Sequence, residues 1–110
     1  MIVTQLPLSE TDVYYTYSTA LEDSNFILTF LWNDRDKAWR MDIRKEDNTP
    51  VVLGYKIVSS YPMMADYTLN DDGLSGYFAL VPKSKESGLL SSSPSAMRQY
   101  YQLFYVYEEA

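Results

Sequence analysis

The chain has 110 residues, 46% of them hydrophobic, and a formal net charge of −6, which fits one domain able to bury a core without staples. It contains no Cys and no His. Disulfides and thiolate nucleophiles are therefore excluded, along with the commonest general base and metal ligand, and the acidic balance argues against nucleic-acid partners.

The opening Met1-Ile2-Val3-Thr4-Gln5-Leu6-Pro7 lacks the basic segment and long apolar core of a signal peptide. No apolar run elsewhere approaches the length of a membrane span. The expectation is a protein made in the cytoplasm and soluble there, with no membrane partner.

Segment 13–21 is rich in strand formers, with Val13, Tyr14, Tyr15, Thr16 and Tyr17 in succession. Segment 25–32 places Phe26, Leu28, Phe30 and Trp32 on one face and Ile27, Thr29 and Leu31 on the other. Both faces are largely apolar, which predicts a central strand covered on both sides. Segment 38–45 alternates, Trp39, Met41 and Ile43 against Arg40, Asp42 and Arg44, as a half-buried strand does. The polar run Asn33-Asp34-Arg35-Asp36-Lys37 between them is a turn, so 25–45 reads as a β-hairpin.

A second turn at 46–50 leads to a strand over 51–59, with Val51, Leu53, Tyr55 and Ile57 expected on one face. Gly54 within it predicts a bulge or a close backbone approach. Residues 61–64 read as a short bent strand, Asn70-Asp71-Asp72-Gly73 as a turn, and 76–81 as a further strand. Segment 83–95 has the polar, Ser-rich composition of a flexible loop. A single helical turn over Ser95 to Arg98 is expected before a last strand at 99–107.

These elements predict an all-β fold: a single small antiparallel β-sandwich or partly open barrel of six to seven strands, spanning residues 1–110 as one domain. Charge is unevenly placed. Residues 34–47 carry five acids and five bases, and the ten acids and four bases outside them supply the whole net charge.

Catalytic constellations are weak. Ser91, Ser92 and Ser93 have no base to activate them. The pairs Asp34 with Asp36 and Asp71 with Asp72 fall in turns, where Asp serves its own backbone, rather than across a rigid cleft as glycoside hydrolysis requires. Asp66, Asn70, Asp71 and Asp72 do not have the alternating spacing of a calcium loop. No enzyme activity, metal or cofactor is expected.

Eleven of the residues are Tyr, and Tyr is enriched at protein interfaces. Tyr14, Tyr15 and Tyr17 near one end and Tyr100, Tyr101, Tyr105 and Tyr107 near the other, with Arg35 in the hairpin turn, are the candidate interface residues. By strand alternation half of these rings pack inward. Trp32, Asn33, Arg35 and Trp39 are the structural residues of the hairpin: the Trp rings can meet across the strands, Asn33 can bond the turn backbone, and Arg35 can pair with Asp36 or Asp42 or stack on a Trp ring. An alternative use of the exposed aromatics is a ligand- or carbohydrate-binding platform.

The pattern Phe26-x-Leu28-x-Phe30-x-Trp32-Asn33-x-Arg35-x-x-x-Trp39-x-x-Asp42-Ile43 resembles the opening hairpin of the baseplate plug family of contractile-tail phages (myophages). The resemblance continues through Asp47-x-x-Pro50-Val51-Val52-x-Gly54-x-Lys56-Ile57-Val58, Pro62-Met63-Met64-Ala65, Gly76-Tyr77-Phe78-Ala79-Leu80 and Leu103-Phe104-Tyr105-Val106, covering about 20–107. It implies a structural virion protein of the tail baseplate, assembled in the host cytoplasm. Such a plug sits on the tail axis, closes the tube and joins it to the hub and spike. The implied partners are the hub, the spike and the tail tube or tube initiator, with the tape measure as a further candidate, and copies of the chain itself in a homo-oligomer of three-fold or six-fold symmetry. Strand edges left open on one copy would be covered by neighbours.

Overall fold

The computed structural model describes residues 2–9, 12–59, 61–65, 73–83 and 94–108. Among these lie seven strands and one short helix: β1 (Ile2–Leu6), β2 (Tyr14–Leu21), β3 (Ser24–Asn33), β4 (Ala38–Lys45), β5 (Pro50–Lys56), β6 (Tyr77–Pro82), α1 (Ala96–Tyr100) and β7 (Tyr101–Tyr107). They form two antiparallel sheets, one ordered β2-β3-β4-β5 and the other β1-β7-β6. The architecture is the expected all-β sandwich, without a closed barrel.

The core lies between the sheets. Phe26, Leu28 and Phe30 of β3 and Trp39, Met41 and Ile43 of β4 point inward from the larger sheet. Phe78 and Leu80 of β6 and Leu103 and Tyr105 of β7 meet them from the smaller one. Each such side chain removed from water contributes about 1.5–3 kcal/mol. Met63, Met64 and Leu74 close the core from the connections.

Several elements depart from the sequence reading. β3 is central in its sheet, but only its even face meets the other sheet. On its outer face Leu31 is 42% exposed, while Thr29 is buried between neighbouring strands, its hydroxyl 2.9 Å from that of Thr16. The face assignment of β5 is also revised. Met41 pairs with Tyr55 and Ile43 with Val52, so three residues of β5 span two of β4. The bulge falls at Gly54, whose φ is +71°, as its position predicted. The extra residue inverts the alternation: Val52 turns inward and Leu53 is 55% exposed.

β1 was not anticipated, because Ile2–Leu6 shows little pattern of its own; all five of its residues pair with β7. The segment at 61–64 contributes one bridge, Met63 with Phe78, instead of a strand. The helical turn extends to Tyr100, which delays β7 to Tyr101. Most of the 83–95 loop, Ser91 to Ser93, and the Asp66, Asn70, Asp71 and Asp72 set lie outside the described residues.

β2 and β3 are joined by the two residues Glu22 and Asp23, with φ of +51° and +72°. Two left-handed residues in a two-residue hairpin match the right-handed strand twist. That conformation costs a non-glycine residue roughly 1–2 kcal/mol, and at Glu22 the side chain offers compensation.

Candidate functional site

The tryptophan hairpin forms as its sequence predicts. Trp32 and Trp39 are directly paired across β3 and β4, and their rings meet edge to face with centroids 6.0 Å apart. In the turn the Asn33 side-chain oxygen accepts the Arg35 backbone N–H at 3.0 Å. Asp34 accepts the Lys37 ammonium at 2.9 Å and, more weakly, the Trp32 indole N–H at 3.4 Å. The Lys37 hydrogen bond, then that of Trp32, holds the Asp34 carboxyl below the usual carboxylate range.

Arg35 does not pair as proposed from the sequence. Asp36 is bound by Arg40 at 2.6 Å, and Asp42 lies 3.5 Å from Arg44. The Arg35 side chain is exposed. Arg40 and Asp42 instead grip the bulge on β5: Arg40 donates to the Gly54 carbonyl at 2.9 Å and the Gly54 N–H donates to Asp42 at 2.6 Å. Two residues of the resemblance, Asp42 and Gly54, thus prove to be one structural contact.

Trp39 also reaches beyond its own sheet. It is 3% exposed, and its indole N–H donates to the Pro94 carbonyl at 3.0 Å, just ahead of α1. Tyr15 stacks on Phe30 at 5.0 Å and stands edge-on to Trp39 at 5.9 Å. Tyr17 stacks on Phe30 at 5.7 Å, and its hydroxyl donates to the Pro7 carbonyl at 3.0 Å. Burial, and secondarily the adjacent Tyr15, pushes the Tyr17 hydroxyl well above its ordinary range. The tryptophans thus form no open platform: Trp39 is enclosed, and Trp32 is half-buried.

The tyrosines singled out by sequence divide by position. Tyr14 and Tyr15 point to opposite faces; Tyr14 is 63% exposed, while Tyr15 and Tyr17 are half-buried against the core. Tyr100 and Tyr107 are half-buried. Tyr101 and Tyr105 are buried and serve the core.

Sequence reasoning missed the polar centre that joins the sheets. Tyr105 donates to Glu22, and the Gly76 N–H donates to the Tyr105 oxygen at 3.0 Å. The Ser75 N–H donates to Glu22 at 2.8 Å, and the Ser75 hydroxyl donates to the other carboxylate oxygen. Burial acts to raise the Glu22 carboxyl, but the hydrogen bonds from Ser75, Tyr105 and the neighbouring backbone outweigh it, and the net direction is down. Burial and the facing Glu22 push the Tyr105 hydroxyl well up, so Tyr105 remains the donor. The only hint in the sequence was the three-residue gap between the strand segments 13–21 and 25–32; nothing local connects residues 22 and 105.

This arrangement is a structural brace, with no evident catalytic geometry. Asp34 and Asp36 are each matched by a cation on an exposed turn. Among the described residues no three Asp or Glu side chains converge as metal ligands would. The interface candidates and the braced hairpin are the features left to carry function.

Comparison with known proteins bears on that role. The family model described as cyanophage baseplate Pam3 plug gp18 matches residues 3–108. No curated protein matches the chain. The match takes in every strand but the first residue of β1, including the tryptophan hairpin, the Gly54 bulge and the Tyr105 brace, and it supports a structural role in a phage tail baseplate. The chain belongs to the cyanophage baseplate plug family.

Proposed function

We propose that this chain is a non-enzymatic plug on the axis of a contractile phage tail, closing the tube and joining it to the hub and spike. The observation that carries the reading is the family match over residues 3–108. The geometry is in keeping with it: a small sandwich braced across its two sheets at Trp39 and Glu22 is suited to passive closure, which needs a rigid body. Residues 1–110 would act as one domain in this reading.

In this reading the chain is assembled in the host cytoplasm and carried in the virion. Its neighbours are the hub, the spike and the tail tube or tube initiator, with the tape measure as a further candidate. Copies repeat with the three-fold or six-fold symmetry of the tail. Tyr14, Tyr100, Tyr107 and Arg35 are the candidate contacts, because each has surface to offer. Tyr15 and Tyr17 contribute their half-exposed edges, while Tyr101 and Tyr105 support the contact surface from beneath.

Imaging intact virions at side-chain detail tests this. The expected result is density for this sandwich at the distal end of the tube lumen, touching hub and tube subunits. Density for it elsewhere in the particle, or a baseplate without it, would overturn the reading.

A further inference from the structure

The two sheets end in four edge strands, β1, β2, β5 and β6, and an open edge is a template for pairing unless something blunts it. β5 begins at Pro50, bulges at Gly54 and ends at Lys56, and the Gly54 peptide is already taken by Arg40 and Asp42. β6 ends at Pro82, and Phe78 exchanges both backbone hydrogen bonds with Met63 on its outer side. β1 has only five residues.

β2 has none of these protections. Its eight residues pair with β3 without interruption, and from Val13 to Leu21 there is no charged residue, Pro or Gly. The Trp32 N–H donates to the Val13 carbonyl at 2.9 Å, which fixes Val13 as facing β3. By antiparallel alternation Tyr15, Tyr17 and Thr19 face β3 as well. Tyr14, Thr16, Ser18 and Ala20 therefore direct their backbone N–H and C=O groups to the open edge, and all four residues are exposed. Among the described residues nothing bonds those groups. Such a row is satisfied by the backbone of another extended strand.

We propose that this edge docks a second copy of the chain, the two β2 strands pairing antiparallel about a two-fold axis to make one continuous eight-stranded sheet. Charge selects the occupant. Each copy carries −6, so two copies meet most readily where neither presents charge, and Val13 to Leu21 is such a stretch. Self-pairing opposes each residue to its symmetry mate, so a charged edge would meet its own kind.

Geometry selects the register. A two-fold at Ser18 sets Ser18 against Ser18 and Thr16 against Ala20, matching edge-facing groups on both copies. It also sets Tyr17 against Thr19, which keeps the core-side faces on one side of the joined sheet. Centred one residue earlier, at Tyr17, the same pairing would bring Asp12 against Glu22 of the mate, acid against acid. A two-fold pair belongs to the free chain, whereas a ring about the tail axis needs head-to-tail contacts. The pairing therefore stands or falls independently of the baseplate reading.

Light scattering coupled to size exclusion tests it on the full chain. Wild type is expected at twice the chain mass of 12.7 kDa. Ser18→Lys, which sets two cations together at the axis, and Ser18→Pro, which removes an edge donor without touching the β3 ladder, are expected at the single mass with unchanged circular dichroism. Should Ser18→Pro fail to fold, the outward-facing Ser18→Lys still decides the matter. In this Cys-free chain Ser18→Cys should cross-link to a dimer on oxidation far faster than Arg35→Cys. The proposal is overturned by a wild type at single mass at several hundred micromolar, by a folded Ser18→Lys that keeps the double mass, or by equal cross-linking rates. It is overturned too if the wild type stays single alone and gains a strand only from another baseplate protein.

Discussion

Truncating Trp39 to Ala tests whether the hairpin braces the sandwich or merely decorates one sheet. The side chain is almost fully enclosed, and removal of a buried Trp costs about 3–5 kcal/mol from lost transfer energy and the cavity left behind. Three features of the site point to the upper half of that range. The ring forms edge-on pairs with Trp32 and with Tyr15, each worth about 0.5–1.5 kcal/mol beyond its buried area. Its N–H satisfies the Pro94 carbonyl, a bond of about 1 kcal/mol net. Trp39→Ala is therefore expected to lose about 4–5 kcal/mol, a large part of the roughly 5–15 kcal/mol available to a small domain. Trp39→Phe keeps a ring and loses the N–H, and should lose about 1–2 kcal/mol. Urea titration followed by circular dichroism is the assay, with the fluorescence of the remaining Trp32 as second probe. With a slope of about 2 kcal/mol per molar urea, the Ala variant should unfold about 2 M earlier. A loss below about 1 kcal/mol at unchanged slope would refute the brace.

Other substitutions probe the same framework. Gly76→Ala should cost about 1–3 kcal/mol or prevent folding, because an added Cβ would stand 2.0 Å from the Val106 carbonyl oxygen; Gly54→Ala has open space around it but a φ of +71°, and should cost about 1–2 kcal/mol, with both read from urea midpoints. Arg35→Ala should move the melting free energy by less than about 0.5 kcal/mol, since its side chain is exposed and the nearby carboxylates are bound by other cations. Hydrogen bonding holds folded Glu22 below its ordinary value of 4.5, so its stabilisation is present above that value and lost as pH falls through the lower folded one. Glu22→Gln should accordingly be less stable than wild type near neutrality, with the gap closing as pH falls below about 4.5, measured by urea midpoints across that range.

What was legible in the sequence follows the range of the interactions involved. The β3–β4 hairpin was readable because its signals are local: alternation in 38–45, a run of turn formers, and an Asn whose side chain bonds two residues on. Gly54 was readable as a bulge because a lone Gly in a strand has few other uses. Its effect on Val52 and Leu53 was not, because a bulge shifts the parity of everything beyond it, and the residue pattern alone does not say on which side the shift falls. β1 escaped notice because its stability comes from pairing with β7, about a hundred residues away in sequence. The outer face of β3 misled for a related reason. Ile27, Thr29 and Leu31 are apolar enough for a second layer, yet among the described residues no second sheet lies over them, and Leu31 is 42% exposed.

The tyrosines call for a different weighting than their number suggests. A count of eleven reads first as a contact surface, but Tyr17, Tyr55 and Tyr105 each spend their hydroxyl inside the chain, on Pro7, on the Met64 N–H, and on Glu22 with Gly76. In each case a ring fills the space between layers while its polar tip reaches a connection that no strand ladder can satisfy. A sandwich of two small sheets, with no disulfide to join them, needs such ties. Tyr supplies them because it brings about 150–250 Å² of burial and one hydrogen bond in a single stiff side chain. Much of the Tyr content thus belongs to the brace, and the contact surface contracts toward Tyr14 and the exposed edge on which it stands. That edge, uncharged on an acidic protein and unbonded along alternate residues, is a more specific invitation to a partner than the aromatic content, because it dictates the geometry of whatever binds.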